Sequence, residues 1–189
     1  MKKSKKLKKF EKATIPDNII NRMKWLKEFI DNLTGEADIN AISTIHSVAD
    51  EYMDGFINKY TTCDKGCSYC CRVEVEVPAL EAIYIHNALN EPINVDIEKV
   101  KIPENSPCKF LKKDICSIYE YRPLVCRMFG SLDSLKKCKT GKDHFLISIK
   151  SSDFWLGFVS KWLYLNSSNL KSGTLNIPIK QDIRKWFLK

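Results

Sequence analysis

The chain has 189 residues and a formal net charge of +8, from 31 Lys and Arg against 23 Asp and Glu. Seven Lys and one Glu fall within residues 1–12, leaving 24 basic and 22 acidic residues, or +2, elsewhere. The total thus describes a basic tail on a nearly neutral body and excludes a globular nucleic-acid binder with a basic face. An apolar content of 44% with 11% aromatics supports a real core and excludes global disorder, collagen-like and low-complexity classes.

Seven mutually repelling lysines, anchored only by Leu7 and Phe10, predict a disordered basic tail over residues 1–14. Ile19, Ile20, Met23, Leu26, Phe29, Ile30 and Leu33 then recur at three- and four-residue steps, one apolar helical face that Gly35 ends. Ile42, Ile45, Ala49, Tyr52, Met53, Phe56, Ile57 and Tyr60 repeat the pattern. Residues 15–60 therefore read as a helical hairpin.

Past Thr61-Thr62, Val73, Val75 and Val77 alternate with Glu74 and Glu76, the period of a short half-exposed strand. Pro78 opens a helix running to about Asn90, with Glu81 near its positive end. The three prolines of residues 91–107 predict a wrapping loop with one short helix. A helix opened by Pro123 carries Leu124 to Phe129. Phe145 to Ile149 reads as a strand, Asp153 to Leu165 as an apolar helix, and Gln181 to Leu188 as a short terminal helix.

The expected fold is mostly α with minor β: a small helical domain built around a cysteine-rich metal centre. It comprises the tail, the hairpin, a cysteine core over residues 61–140, and a helical segment over residues 141–189 packing on that core. The longest apolar run, residues 154–165, carries Lys161 and falls short of the ~18 residues of a transmembrane span. No apolar signal stretch follows the basic start, so a cytoplasmic location is the expectation.

Eight cysteines carry the chemistry: Cys63, Cys67, Cys70 and Cys71 within nine residues, then Cys108, Cys116, Cys126 and Cys138. Disulfides suit small secreted domains without a core, and incidental buried thiols would be scattered on apolar faces. The clustering in polar contexts favours metal ligation over both. Cys67-Ser68-Tyr69-Cys70 is a CxxC turn able to point two sulfurs at one ion about 2.3 Å away. Gly66 suits the positive φ of such a turn. Adjacent residues in extended chain point oppositely, which assigns Cys71 to a second site or to structure. Lys109, Lys112, Lys113, Arg122 and Arg127 lie near these thiols in sequence. The lysines read as solvated surface. Arg122 and Arg127, bracketing Cys126, are candidates to hold an anionic cofactor or substrate.

CDKGCSYCC followed by PCKFLKKDICSIYEYRPLVCRMF resembles the YkgJ-type cysteine-cluster proteins, described as a zinc- or iron-chelating domain. The resemblance spans Cys63 to Cys138 and rests on the paired cysteines closing the first cluster, C-x-F-L, C-x-I-Y and R-P-x-x-C-R. It implies a cytoplasmic metal-binding domain with ligands at Cys63, Cys67, Cys70, Cys71, Cys108, Cys116 and Cys126. Two departures stand out: three residues separate the first two cysteines, and Pro78 occupies a position that is usually Thr or Ser. The family includes proteins similar to flagellin lysine N-methylases, so protein-lysine methyl transfer or redox chemistry stays open beside simple chelation. The CxxxCxxC spacing is also that of radical S-adenosylmethionine enzymes, but the strand–helix alternation and glycine-rich segment of that fold are missing downstream.

Zinc and an iron–sulfur cluster both remain compatible with soft thiolates, and the absence of histidine from the motif tilts slightly toward the cluster. His46, His86 and His144 read as structural, and Glu74, Glu76 and Glu81 are explained by a strand face and a helix start. The expected partner is a metal ion. The sequence identifies no small-molecule or protein substrate, and contact with nucleic acid, acidic protein or membrane would fall to the basic tail.

Overall fold

Ile19, Met23, Leu26 and Ile30 form one buried stripe along the helix Asp17–Asp31 (α2), whose first turn carries Asp17 where an acidic side chain favours the helix dipole. The chain is described by a computed structural model covering residues 4–33, 39–63, 66–95, 100–132, 134–140, 146–147, 154–172 and 177–188. The Gly35 stop lies outside these residues. Helix Asn40–Tyr52 (α3) turns Ile42, Ile45, Ala49 and Tyr52 onto α2. Its apolar period continues not as α-helix but as a π turn over Met53–Ile57 and a 3-10 turn over Asn58–Tyr60. The π turn crosses α2 closely: a Cβ on Gly55 would sit 2.7 Å from Ile19 Cδ1.

The tail departs from expectation. Lys5–Phe10 forms a short helix (α1), capped by Ser4 Oγ accepting from the Leu7 N–H at 3.0 Å. Leu7 is buried, and the Phe10 ring meets Phe56 and Tyr60. Ser4 Oγ donates to Leu132 O at 2.8 Å, and Lys6 Nζ to Thr61 O. Two apolar anchors and three polar ties outweigh the lysine repulsion, because Lys5, Lys8, Lys9 and Lys12 all face water.

The alternating valines end in a strand, Glu76–Pro78 (β1), followed directly by helix Ala79–Leu89 (α4), which Asn90 closes in the left-handed conformation. β1 pairs antiparallel with Lys180–Asp182 (β6), in register Glu76↔Asp182 and Val77↔Gln181. The expected terminal helix therefore starts later, at Ile183–Trp186 (α8), with Asp182 as its cap. The late apolar helix runs longer than expected, Phe154–Ser172 (α7), and packs on α2 and α4. Of the strand expected at 145–149, Leu146–Ile147 (β5) pairs with Gly130–Ser131 (β4), and the rest lies outside the described residues. The described parts of 91–107 carry no helix, while Leu135–Thr140 (α6) is an unexpected one.

The molecule is mostly helical, with short two-stranded pairs. One apolar cluster gathers α1, α2, α3, α7 and Leu80, Leu124, Met128 and Leu132. A second gathers Val77, Ala82, Ile85, Phe110, Ile118, Trp186 and Phe187. Helix α4 lies between them and is apolar nearly all round, as burial on both sides requires. Full burial of each large aliphatic side chain stabilises the fold by roughly 1.5–3 kcal/mol. No helix among the described residues is long and apolar enough to cross a membrane.

Candidate metal centre

All eight cysteines are free thiols. Cys63 follows Thr61-Thr62, a stretch tied to β4: Thr62 N–H donates to Ser131 O at 2.7 Å, and Ser131 N–H returns a bond to Cys63 Sγ at 3.3 Å. Gly130 permits this approach, since a Cβ there would lie 2.8 Å from Thr61 Cγ2. Gly66 takes φ 90°, the positive value its place before the CxxC turn anticipated.

Cys70 and Cys71 sit on a 3-10 turn, Tyr69–Arg72. The expectation that adjacent cysteines diverge assumed extended chain. On this turn the neighbouring Cys71 thiol, ahead of burial, pushes the Cys70 thiol far up.

The second half of the motif is brought onto this turn by backbone contacts. Cys108 N–H donates to Cys71 O at 2.8 Å. Leu111–Lys112 (β2) and Ile115–Cys116 (β3) form a hairpin whose two loop residues, Lys113 and Asp114, both have positive φ, the twist a tight two-residue loop needs. Asp114 Oδ1 then accepts from Ser68 Oγ at 2.9 Å, tying the hairpin to the CxxC turn. Pro123 opens the short helix Leu124–Arg127 (α5), which carries Cys126. Helix α6, bearing Cys138, packs on the 69–72 turn.

Mutual electrostatics traces the convergence. The Cys126 thiol is raised well above its ordinary value, first by burial and then by Cys70, Cys108 and Cys116. Burial raises Cys108 to about 11, with Cys116 adding to it. Cys116 is raised by burial and by Cys70, against a lowering from Arg122. Cys63 is raised by partial burial, then by Cys67, Cys138 and Cys70, against the Ser131 hydrogen bond. Cys70 thus raises the pKa values of Cys63, Cys116 and Cys126 alike.

The donor chemistry fits a thiophilic ion, which binds deprotonated sulfur and accepts an all-cysteine shell. Among the described residues no three His, Cys, Asp or Glu side chains are already closed to coordination distance.

The two arginines part company. Arg122 stacks on Tyr119 at 3.8 Å, lies 3.7 Å from Asp50, and favours the thiolate forms of Cys70 and Cys116. Arg127 is buried and engaged by Asp50, Glu120 O and Arg122 O, so its fork is committed to protein groups rather than turned toward an anionic ligand. Lys109 pairs with Glu91 at 2.6 Å.

Behind the thiols lies a polar group the sequence reading treated as ordinary. Glu81 and His46 are both buried and 2.8 Å apart, and Glu81 Oε1 also accepts the Leu124 N–H at 2.7 Å. The available signal was polarity on apolar faces: His46 and Asp50, one turn apart on α3, and Glu81 within ALEAIYIHNAL.

Residues 62–145, which hold all eight cysteines, match the family described as "CxxCxxCC: Putative zinc- or iron-chelating domain". No curated protein and no solved structure matches the chain, so the likeness to flagellin lysine N-methylases finds no counterpart there.

Proposed function

We propose, from the premise that residues 62–145 belong to the CxxCxxCC family, that this chain is a cytoplasmic zinc- or iron-chelating protein whose ligands are drawn from Cys63, Cys67, Cys70, Cys71, Cys108, Cys116, Cys126 and Cys138. What supports the reading is the family match over residues 62–145, together with the backbone bond from Cys108 to Cys71 and the Ser68–Asp114 bond, which bring the 108–116 segment onto the CxxC turn. Eight half-buried or exposed thiols gathered in one stretch of sequence are a soft-metal donor set.

The metal would supply the cross-link that holds the 63–72, 108–116 and 124–127 segments together, where regular secondary structure is sparse. The chain's own residues contribute position and charge. Ser131 N–H stabilises negative charge on Cys63 sulfur. Arg122 faces Cys70 and Cys116 and offsets the −2 that four thiolates give a divalent ion. The Ser68–Asp114 bond holds the hairpin against the CxxC turn. Each thiolate formed on binding releases a proton, so affinity should fall by up to about tenfold per released proton for every unit that the pH is lowered.

Two clefts border the 102–118 segment. One is lined by Glu91, Lys109, Phe110 and Ser117, the other by Ile102, Pro107, Arg184 and Phe187; neither has a cysteine in its wall. Chelation is the function that the cysteine set and the family match support best. Anaerobic purification, metal analysis and a visible spectrum test it. Stoichiometric zinc without colour, or iron with a thiolate charge-transfer band, supports the reading, and a metal-free chain that takes up neither ion overturns it.

A further inference from the structure

Cys126 sits on a four-residue helix, too short to hold its own direction. What fixes it comes from elsewhere in the fold. At its start, the Leu124 N–H donates to Glu81 Oε1 at 2.7 Å, and the same oxygen is 2.8 Å from His46 Nε2. Glu81 is 1% exposed and His46 3%. The imidazole stands edge-on to Tyr84, with its Nδ1 buried and unpartnered. At its end, Arg127 is bound to Asp50, one turn beyond His46 on α3.

A buried carboxylate–imidazole pair is a costly way to fill space between helices. Apolar side chains of similar volume commonly do as well or better for stability alone. Here the carboxylate has a second duty: it caps the helix that aims one particular thiol. Groups that orient a ligand from behind it govern how little reorganisation binding demands.

We infer that Glu81 and His46 are positioning residues of the thiol centre, holding the start of α5 and with it the backbone that carries Cys126. The inference rests on the reading of these thiols as metal ligands. It assigns the pair a role in affinity that core packing alone would not give it. Glu81→Ala should weaken binding about 10- to 100-fold, the usual consequence of removing such a support. Glu81→Gln, which keeps an acceptor for the Leu124 N–H, should recover most of that loss.

The test uses the full chain, with zinc in chelator competition for affinity and cobalt(II) as a spectroscopic probe of thiolate count. Leu26→Ala, in the α2 core and away from the thiols, serves as a destabilised control. The expected result is weakened binding and a reduced cobalt–thiolate band in Glu81→Ala, with Glu81→Gln and Leu26→Ala close to wild type. Equal affinity in wild type and Glu81→Ala overturns the positioning role while leaving chelation intact. So does a loss in Glu81→Ala no greater than that in Leu26→Ala. A wild-type chain that binds neither zinc nor cobalt and takes up no iron overturns chelation, and the inference with it.

Discussion

Replacing Arg127 with Met removes a guanidinium that is 4% exposed and donates to Asp50, Glu120 O and Arg122 O. Met retains much of the apolar stem, so the loss is mainly polar. Two carbonyls forfeit a charged donor, at roughly 1–3 kcal/mol each if they stay unsatisfied. Asp50 is 39% exposed and regains water, so its share is small. Relief of the guanidinium's own desolvation works the other way; burial already lowers the Arg127 pKa despite the Asp50 charge. The net expectation is a loss of about 3 kcal/mol, the low end of the range for breaking a buried pair. In urea, at roughly 1–3 kcal/mol per molar, the midpoint should fall by about 1–3 M. The assay is unfolding followed by circular dichroism on preparations matched in metal content, because bound metal adds stability of its own. A loss below about 0.5 kcal/mol, the scatter of ordinary surface changes, would refute the structural assignment of Arg127.

Leu7→Ala should lower stability by about 2 kcal/mol, as a cavity in a docked helix; an unchanged melting temperature would mean that α1 does not pack. Lys113→Asn should stabilise by up to about 1 kcal/mol, because Asn tolerates the left-handed conformation that Lys113 holds at φ 50°; chemical denaturation measures it, and a loss would contradict the strain assignment. Cys108 is raised from 9.0 to about 11, chiefly by burial. Its contribution is complete below pH 9 and is lost as pH rises through 11, because the unfolded chain ionises first. Metal-free stability should therefore fall over that window by up to about 3 kcal/mol from this thiol. Cys108→Ala should flatten the decline, and parallel declines in the two proteins would exclude the mechanism.

Local periodicity made α2, α3 and α4 readable, because each buries one continuous stripe whose spacing survives in the sequence: Ile19 to Ile30, Ile42 to Tyr52, and the apolar run after Pro78. The positive φ at Gly66 followed from its place beside a CxxC. Features set by distant partners were not readable in this way. Helix α1 hides two anchors inside a lysine run, and its ties to Thr61 and Leu132 are long-range. Gln181 and Asp182 are strand rather than helix because β1 offers them an edge about a hundred residues earlier. The effect of Cys71 on Cys70 depends on a 3-10 turn that no spacing rule indicates. Glu81 and His46 each have an ordinary local explanation, and only the fold places both behind Cys126.

The central claim is that the thiols around Cys70 hold a metal. Its most direct measurement is metal content per chain in anaerobically purified wild type and Cys126→Ser, with the visible spectrum recorded on the same samples. The account predicts stoichiometric zinc or iron in the wild type and a clear loss in the variant, since Cys126 sits on α5, which the buried Glu81 holds at its start. Equal metal content in the two proteins would remove Cys126 from the centre, and a wild type that holds neither metal and cannot be loaded would contradict the account.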